Sequence, residues 1–219
     1  MSNPNLNSKE DINYYNRSRN WPLLFNIKDG SSVLDIGCGR GFLGKLLKDV
    51  HRCNVTGVEI VEENFNHAIG VLDNAFLGDV ETMPFPDDDF MFDYVIFSDS
   101  LEHLVNPDLV LERVLKHLNF DGKLLIAMPN VRNFRVTLPL LLRDSWEYQE
   151  EGLLDKTHLR FFTRSSLCNL LQTKGFDVTT VLYDLPLNSK VGILNLLTFG
   201  VFKKHLTSHY FVESCIKKY

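Results

Sequence analysis

Basic charge is in short supply in this sequence. Its 219 residues carry 23 Lys and Arg against 28 Asp and Glu, a formal net charge of −5. Proteins that bind nucleic acid through its phosphates need a basic face, so we expect no nucleic-acid partner. Repeats and low-complexity tracts are also missing, and 44% of the residues are apolar. This composition excludes a disordered chain and favours a single globular domain over residues 1–219.

Closely spaced cysteines are missing too. Cys38, Cys53, Cys168 and Cys215 form neither a CxxC pair nor the spacing of a zinc finger. Isolated cysteines of this kind are typical of reduced thiols in an intracellular protein. The first 16 residues are polar and lack the apolar core of a signal peptide. We therefore expect a cytoplasmic protein.

No apolar run approaches the about 20 residues that span a bilayer, so we expect no stable membrane insertion. The longest run, residues 191–202, is interrupted by Asn195 and Thr198 and is followed by Lys203 and Lys204. Apolar residues with an aromatic and flanking lysines are typical of a helix that lies on a membrane surface. The run leaves no strongly polar face, however, and this favours a buried core position or a homodimer interface.

Apolar runs of strand length alternate with stretches of helical spacing from residue 32 onward. The predicted strands cover residues 33–36, 55–60, 94–97 and 123–128, and one predicted helix covers 62–74. This order predicts an α/β fold with a doubly wound, mostly parallel sheet and helices on both faces. Two late strands, near 176–182 and 210–216, predict an antiparallel C-terminal edge. Residues 131–163 hold no clean period, and we interpret them as a lid or acceptor-side insertion before a C-terminal part at 164–219.

A glycine loop follows the first predicted strand. It reads Asp35-Ile36-Gly37-Cys38-Gly39-Arg40-Gly41. Alternating glycines leave the backbone free to pass close to a ligand, and the helix that follows directs its free N–H groups into the same crevice. Ligands of open parallel sheets bind in that crevice, at the carboxyl ends of the strands.

Two ligands compete for this loop. Gly39, Gly41 and Gly44 satisfy the GxGxxG pattern, with Glu59 placed 20 residues on, as in a dinucleotide site. This favours an NAD(P)-dependent oxidoreductase. A motif that begins at Asp35 instead, with the strand ending there, suits a positively charged headgroup better than a pyrophosphate.

Five segments in order resemble class I S-adenosylmethionine-dependent methyltransferases. They are residues 33–41, 57–60, 78–81, 92–98 with 101–104, and 121–126. Together they cover about residues 31–130, the expected cofactor-binding core. Residues 128–131 and 152–163 resemble a narrower group, the small type-11 and type-23 methyltransferases, many of which are similar to enzymes that act on saccharides or small molecules.

The resemblance and the loop together imply a set of S-adenosylmethionine-binding residues. They are Asp35, Gly37, Cys38, Gly39, Gly41, Glu59, Ile60, Asp79, Val80 and Ser98. Glu59 is placed to accept hydrogen bonds from the ribose hydroxyls, and the resemblance puts Asp79 against the adenine amino group. Cys38 is interpreted as a small filler, because no base lies near it in the sequence. Tyr14 and Arg17 are assigned to substrate binding, since a similar N-terminal helix closes over the cofactor in related enzymes.

Methylation of an oxygen requires removal of the acceptor's proton, and a histidine is suited to that role. His158 and His103 are the candidate bases, with Asp155 and Arg160 as acceptor-binding residues. An H-E-x-x-H pattern or a triad of carboxylates is missing, so we expect no metal. The sequence thus predicts an O-methyltransferase of a small molecule or saccharide. An NAD(P)-dependent oxidoreductase and a non-catalytic cofactor-binding protein stay open as alternatives.

Overall fold

The computed structural model describes residues 22–84, 90–185 and 189–218. Its seven strands form one sheet in the order β3-β2-β1-β4-β5-β7-β6. The strands are β1 (Ser32–Ile36), β2 (Asn54–Glu59), β3 (Asn74–Leu77), β4 (Phe92–Ser98), β5 (Leu118–Pro129), β6 (Phe176–Tyr183) and β7 (His209–Ile216). The first five pair in parallel, and β7 runs antiparallel to both of its neighbours. The mostly parallel sheet and the antiparallel C-terminal strand are confirmed, with β7 one place inside β6 at the edge.

Seven α-helices and two short 3₁₀ turns connect the described strands. The helices are α1 (Phe42–His51), α2 (Glu62–Ala68), α3 (Pro107–His117), α4 (Phe134–Arg143), α5 (Arg164–Thr173), α6 (Lys190–Leu197) and α7 (Lys203–Leu206). The 3₁₀ turns are η1 (Pro22–Asn26) and η2 (Leu101–His103).

The central strands are covered on both faces, which is why their apolar runs are continuous. Leu34 and Ile36 of β1 pack in one core with residues of α3 and α5. Val33, the neighbour of Leu34, packs in a second core with α1 and η1. Successive side chains of a strand point to opposite faces, so one strand supplies both cores. This places helices on both sides of the sheet, as predicted.

Short-range signals set the helix ends. The Asn106 side chain accepts a hydrogen bond from the Leu109 backbone N–H, and Pro107 opens α3. Thr163 begins α5 with a capping box shared with Ser166. Gly175 follows α5 with a φ of +87°, a conformation that favours glycine.

Two stretches differ from the sequence prediction. The helix predicted over 62–74 ends at Ala68, and residues 74–77 form β3 instead, paired with β2. Pairing with β2 satisfies the backbone N–H and C=O groups of this segment. The segment is too short to show a recognisable strand pattern in the sequence. Within the irregular stretch after residue 130, α4 forms because Asn133 caps it by accepting from the Arg135 N–H. Pro139 inside α4 removes one helical hydrogen bond and obscures the helical period of the apolar residues in the sequence.

The C-terminal apolar run is exposed rather than buried. Leu196 and Leu197 of α6 are each 70% exposed, and Phe199 is 97% exposed. The core position considered for residues 191–202 is therefore wrong, because the strands β6 and β7 on either side already complete the sheet. Within the described ranges, no helix combines the length and the apolarity that crossing a membrane requires.

Candidate active site

The glycine loop leaves the sheet after Ile36 and turns through left-handed backbone. Gly37, Gly39 and Gly41 have φ values of +75°, +53° and +79°. A Cβ at Gly37 would lie 2.7 Å from the Cβ of Ser100, whereas a Cβ at Gly39 would meet no heavy atom within 4 Å. Glycine at position 37 thus permits close packing of the chain on itself. Glycine at position 39 leaves open space directly over the loop.

Glu59 ends β2 beside this loop and holds it in place. Its Oε2 accepts the Gly39 N–H at 2.8 Å, and its Oε1 accepts the Val61 N–H at 2.8 Å. The side chain is buried, so both hydrogen bonds lie in a weakly solvated environment. Each carboxylate oxygen keeps one lone pair for a further donor.

Asp35 lies under the loop without a partner. It is fully buried, and neither carboxylate oxygen has a hydrogen bond. Burial, reinforced by the charge of Glu59, raises the pKa of Asp35 to about 7. A buried carboxylate without a donor is costly, and such a group points to a cation or donor that arrives from outside the chain.

Cys38 fills the space between the loop and β2. The thiol is buried, and a Cβ at Gly57 would lie 2.5 Å from its Sγ. Burial and the charges of Asp35 and Glu59 raise the pKa of Cys38 far above its usual range. The thiol therefore stays protonated, and the structure supports the interpretation of Cys38 as a packing residue.

The other cofactor candidates flank the same sheet edge. Ile60 follows β2 and is 64% exposed. Asp79 follows β3, and its Oδ1 accepts the Glu81 N–H at 2.8 Å. Val80 is buried in the core, while Ser98 is half-buried at the end of β4. Ile60, Asp79 and Ser98 each stand at or just beyond the carboxyl end of a parallel strand, and Val80 anchors the turn after β3.

His158 lies in a cluster with Glu102 and His103 of η2, in which Glu102 and His158 are buried and His103 is half-buried. The Nε2 of His158 lies 3.8 Å from the Oε1 of Glu102, and its ring meets the His103 ring edge-on at 4.9 Å. Burial and the nearby His103 lower the pKa of His158, which keeps the ring neutral. Burial and the charge of Asp99 raise the pKa of Glu102.

Hydrogen bonds from the backbone and from one side chain bring this cluster to the glycine loop. The Leu159 and Arg160 N–H groups both donate to the Glu102 carbonyl at 2.9 Å, so the segment around His158 is tied to η2. Two residues before Glu102, the Ser100 hydroxyl donates to the Ile36 carbonyl at 2.6 Å, at the end of β1. The two histidines therefore lie at the same edge of the sheet as the loop.

The proposed acceptor-binding residues are placed differently from one another. The Asp155 Oδ1 accepts the Thr157 N–H at 2.8 Å and closes a local turn. The Arg160 guanidinium donates to the Val105 carbonyl, and the side chain lines a surface groove with Phe162. Tyr14 and Arg17 lie outside the described residues.

The cluster also has the composition of a metal site. One ligand atom from each of Glu102, His103 and His158 lies within 4.8 Å of the others. His103 contacts the Thr157 carbonyl through Nδ1 at 3.1 Å, which leaves Nε2 as its ligand atom. The sequence predicts no metal here, and treatment with a chelator distinguishes the two possibilities.

Sequence reasoning overlooked Glu102. It is 1% exposed, and neither carboxylate oxygen has a hydrogen-bond partner. The sequence did contain a signal for Glu102, because this acidic residue comes shortly after the apolar strand β4 and directly before His103. The contact between Asp99 Oδ1 and His209 Nε2, 3.3 Å apart, was not predictable, since 110 positions separate the two residues.

Comparison with known proteins agrees with this geometry. Residues 10–181 match the family model described as a methyltransferase domain, of type 23. The chain is 26% identical over 125 residues to (S)-tetrahydroprotoberberine N-methyltransferase of Eschscholzia californica, covering 55% of this chain and 36% of that protein. It is 27% identical over 172 residues to the mitochondrial ubiquinone biosynthesis O-methyltransferase of Bos taurus, covering 69% and 43%. The chain thus spans less than half the length of these two relatives.

A solved structure shows the same fold. A SAM-dependent methyltransferase of Archaeoglobus fulgidus superposes with a TM-score of 0.65 at 20% identity, covering 93% of each chain. The family match extends over most of the chain and includes the glycine loop, Glu59 and the histidine cluster. The family match, and not the packing of Gly44, therefore favours S-adenosylmethionine over a dinucleotide as the ligand of the glycine loop. The chain belongs to the class I S-adenosylmethionine-dependent methyltransferase family.

Proposed function

We propose that this chain transfers the methyl group of S-adenosylmethionine to an oxygen of a small molecule or saccharide. One observation carries the proposal. An open glycine loop, with a buried unpartnered carboxylate beneath it, is tied through Ser100 to the segment that carries the buried His158. The first part suits a cationic cofactor, and the second suits an acceptor that must lose a proton.

The residues present fit S-adenosylmethionine. Asp35 offers an unsatisfied carboxylate for a cationic headgroup, and the open space over Gly39 admits a ligand against the backbone. Glu59 has lone pairs left for two hydroxyl donors. When bound, the cofactor supplies an electrophilic methyl group. The contribution of the chain is to place the acceptor in line with that group and to take up its proton.

Replacing Glu59 by glutamine tests the hydroxyl contacts. Glu59→Gln removes a charged acceptor and turns an amide group toward the N–H of Gly39 or Val61. Losing a charged hydrogen bond costs about 1.5–3 kcal/mol, so S-adenosylmethionine affinity should fall about ten- to a hundredfold by calorimetry. Glu62→Gln, at an exposed acid in the first turn of α2, is the matched control and should bind normally. Full affinity in Glu59→Gln would remove this residue from the site.

Asp35 predicts a pH dependence of cofactor binding. In the ligand-free protein its pKa is raised to about 7, so the carboxyl is largely protonated below that pH. A cationic headgroup prefers the ionised form, and binding therefore releases a proton. As the pH is raised toward 7, the affinity for S-adenosylmethionine should increase by up to about tenfold per pH unit. Above pH 7 the affinity should level off. Calorimetry in buffers of different ionisation enthalpy would detect that proton, and Asp35→Asn should abolish both effects. An unchanged pH profile in Asp35→Asn would contradict this role.

His158 is proposed as the general base. Its lowered pKa leaves the ring neutral near pH 7, so it can accept a proton from an acceptor hydroxyl. The Glu102 carboxyl lies 3.8 Å from Nε2 and orients the ring. Glu102 acts through His158 and is a positioning residue in this proposal.

Transfer of the methyl group to nitrogen is the second candidate, favoured by the resemblance to the N-methyltransferase of Eschscholzia californica. An amine acceptor that reacts as its free base needs less help from a base than a hydroxyl does. Assaying radiolabelled S-adenosylmethionine against matched panels of hydroxyl and amine acceptors would separate the two. Turnover confined to amines would overturn the O-methylation proposal.

The same assay decides whether the cluster holds a metal. The proposal expects turnover to survive a chelator, because His158 itself takes the proton. If the chelator abolishes turnover and Mn²⁺ or Zn²⁺ restores it, Glu102, His103 and His158 are metal ligands and His158 is not the base.

A further inference from the structure

The chain segment between β6 and β7 carries an exposed apolar surface. We call it the docking surface: α6, α7 and the loop between them. Its exposed apolar side chains are Ile193, Leu194, Leu196, Leu197, Phe199, Val201 and Phe202. Phe199 stands at the tip of the loop with a φ of +51° and is 97% exposed. An apolar cluster of this size on a folded domain marks a place where something else binds.

The charged residues within this stretch of the chain have one sign. No Asp or Glu occurs between Asp184 and Glu213, while Lys190, Lys203 and Lys204 lie in that stretch. This contrasts with a chain whose formal net charge is −5. The stretch is therefore distinguished by its lack of acidic residues, which leaves it with a net positive charge.

A second acid-free segment adjoins the first. Residues 130–143 carry Arg132, Arg135 and Arg143 and no acidic residue. The Asn130 side chain donates to the Lys204 carbonyl at 3.0 Å, and Arg132 contacts the His205 ring at 3.2 Å. The segment continues into α4, where Leu141 and Leu142 are 78% and 73% exposed. Basic and exposed apolar residues thus recur on both segments.

The docking surface lies at the same sheet edge as the glycine loop. His209, the first residue of β7, pairs with Pro129 at the carboxyl end of β5. The Nε2 of His209 lies 3.3 Å from Asp99, which follows β4. The segment that contains α6 and α7 therefore begins and ends at the sheet edge formed by the carboxyl ends of the parallel strands.

We propose that the docking surface binds the face of an anionic phospholipid bilayer. Apolar and aromatic side chains enter the acyl boundary, and the flanking lysines and arginines meet the lipid phosphates. The eight residues of α6 span about 12 Å, so the helix lies on the bilayer and does not cross it. A second copy of this chain fits less well, because a two-fold contact through this surface sets lysines against lysines. The proposal does not depend on the role of His158.

Vesicle co-sedimentation of the full chain tests this proposal. Wild type should bind phosphatidylcholine vesicles that contain phosphatidylglycerol and bind pure phosphatidylcholine much more weakly. Phe199→Asn removes the aromatic ring, and asparagine tolerates the positive φ of this position. The variant should weaken partitioning into the anionic vesicles about tenfold. Lys190→Gln with Lys204→Gln should weaken it about 25-fold, at about fivefold for each charge.

Matched controls exist on other parts of the molecule. Phe120 is 72% exposed near the amino end of β5, so Phe120→Asn removes another exposed ring, at the opposite edge of the sheet. Lys45→Gln with Lys116→Gln removes two charges from α1 and α3. Both controls should bind vesicles like wild type, and all variants should keep wild-type affinity for S-adenosylhomocysteine.

Three outcomes overturn the proposal. Wild type stays in the supernatant with anionic vesicles, or Phe120→Asn loses as much binding as Phe199→Asn. The third is a concentration-dependent dimer that Phe199→Asn dissociates while vesicle binding is absent, which assigns the surface to a second copy. Vesicle binding without turnover on any acceptor would instead count against the proposed function and leave the docking surface standing.

Discussion

Replacing Gly39 by valine is expected to abolish S-adenosylmethionine binding. Position 39 has a φ of +53°, which a β-branched residue adopts only under strain, and its Cβ would project into the open space over the loop. Both effects remove the close approach between the backbone and the ligand. We expect more than about 100-fold weaker binding by calorimetry, a loss of more than about 2.7 kcal/mol.

Gly30→Val provides a matched control. Gly30 has a φ of +75° and also has no heavy atom within 4 Å of its added Cβ, but it lies in the turn before β1. The two variants therefore carry similar backbone strain and should lose similar thermal stability. Only Gly39→Val should lose cofactor binding. Equal affinity in Gly39→Val and wild type would place the cofactor site elsewhere.

Replacing His158 by alanine is expected to separate catalysis from cofactor binding. S-Adenosylmethionine affinity should stay nearly unchanged, while methyl transfer to a hydroxyl acceptor falls by about 10²–10⁴. The acidic limb of the pH–rate profile should also disappear, because that limb reports protonation of the base. The lowered pKa of His158 places the limb below the usual histidine range.

A purely structural role for His158 makes a different prediction. Its ring packs against His103 and Phe161, so the variant would then lose thermal stability and cofactor affinity together. His117→Ala is the control for burial, since His117 is also buried but contacts the Phe90 carbonyl next to α3. If His158→Ala behaves like His117→Ala, His103 becomes the candidate base.

Local patterns predicted much of the cofactor half of the molecule. The predicted strands at 33–36 and 94–97 lie within β1 and β4. Such signals can be recognised in the sequence because the residues that interact are neighbours in the chain. The continuous apolar runs likewise indicated strands covered on both faces.

Patterns failed where distant partners decide the structure. Residues 74–77 become a strand only because β2 offers an edge to pair with. The identification of Glu102 as a buried acid required the segment 155–160 to fold over η2. Residues 191–202 read as core material by composition, and the completed sheet leaves them outside.

The sequence by itself determined the fold class, the place of the glycine loop and the identity of the acids around it. These depend on strand periodicity, on glycine's access to positive φ and on the order of motifs along the chain. Only the tertiary structure decided that Asp35 is left without a partner, that Glu102 faces His158 and that a basic apolar surface adjoins the cleft edge. The physical reason is that burial and partnership of a charge are set by residues far away in the chain, which no local pattern records.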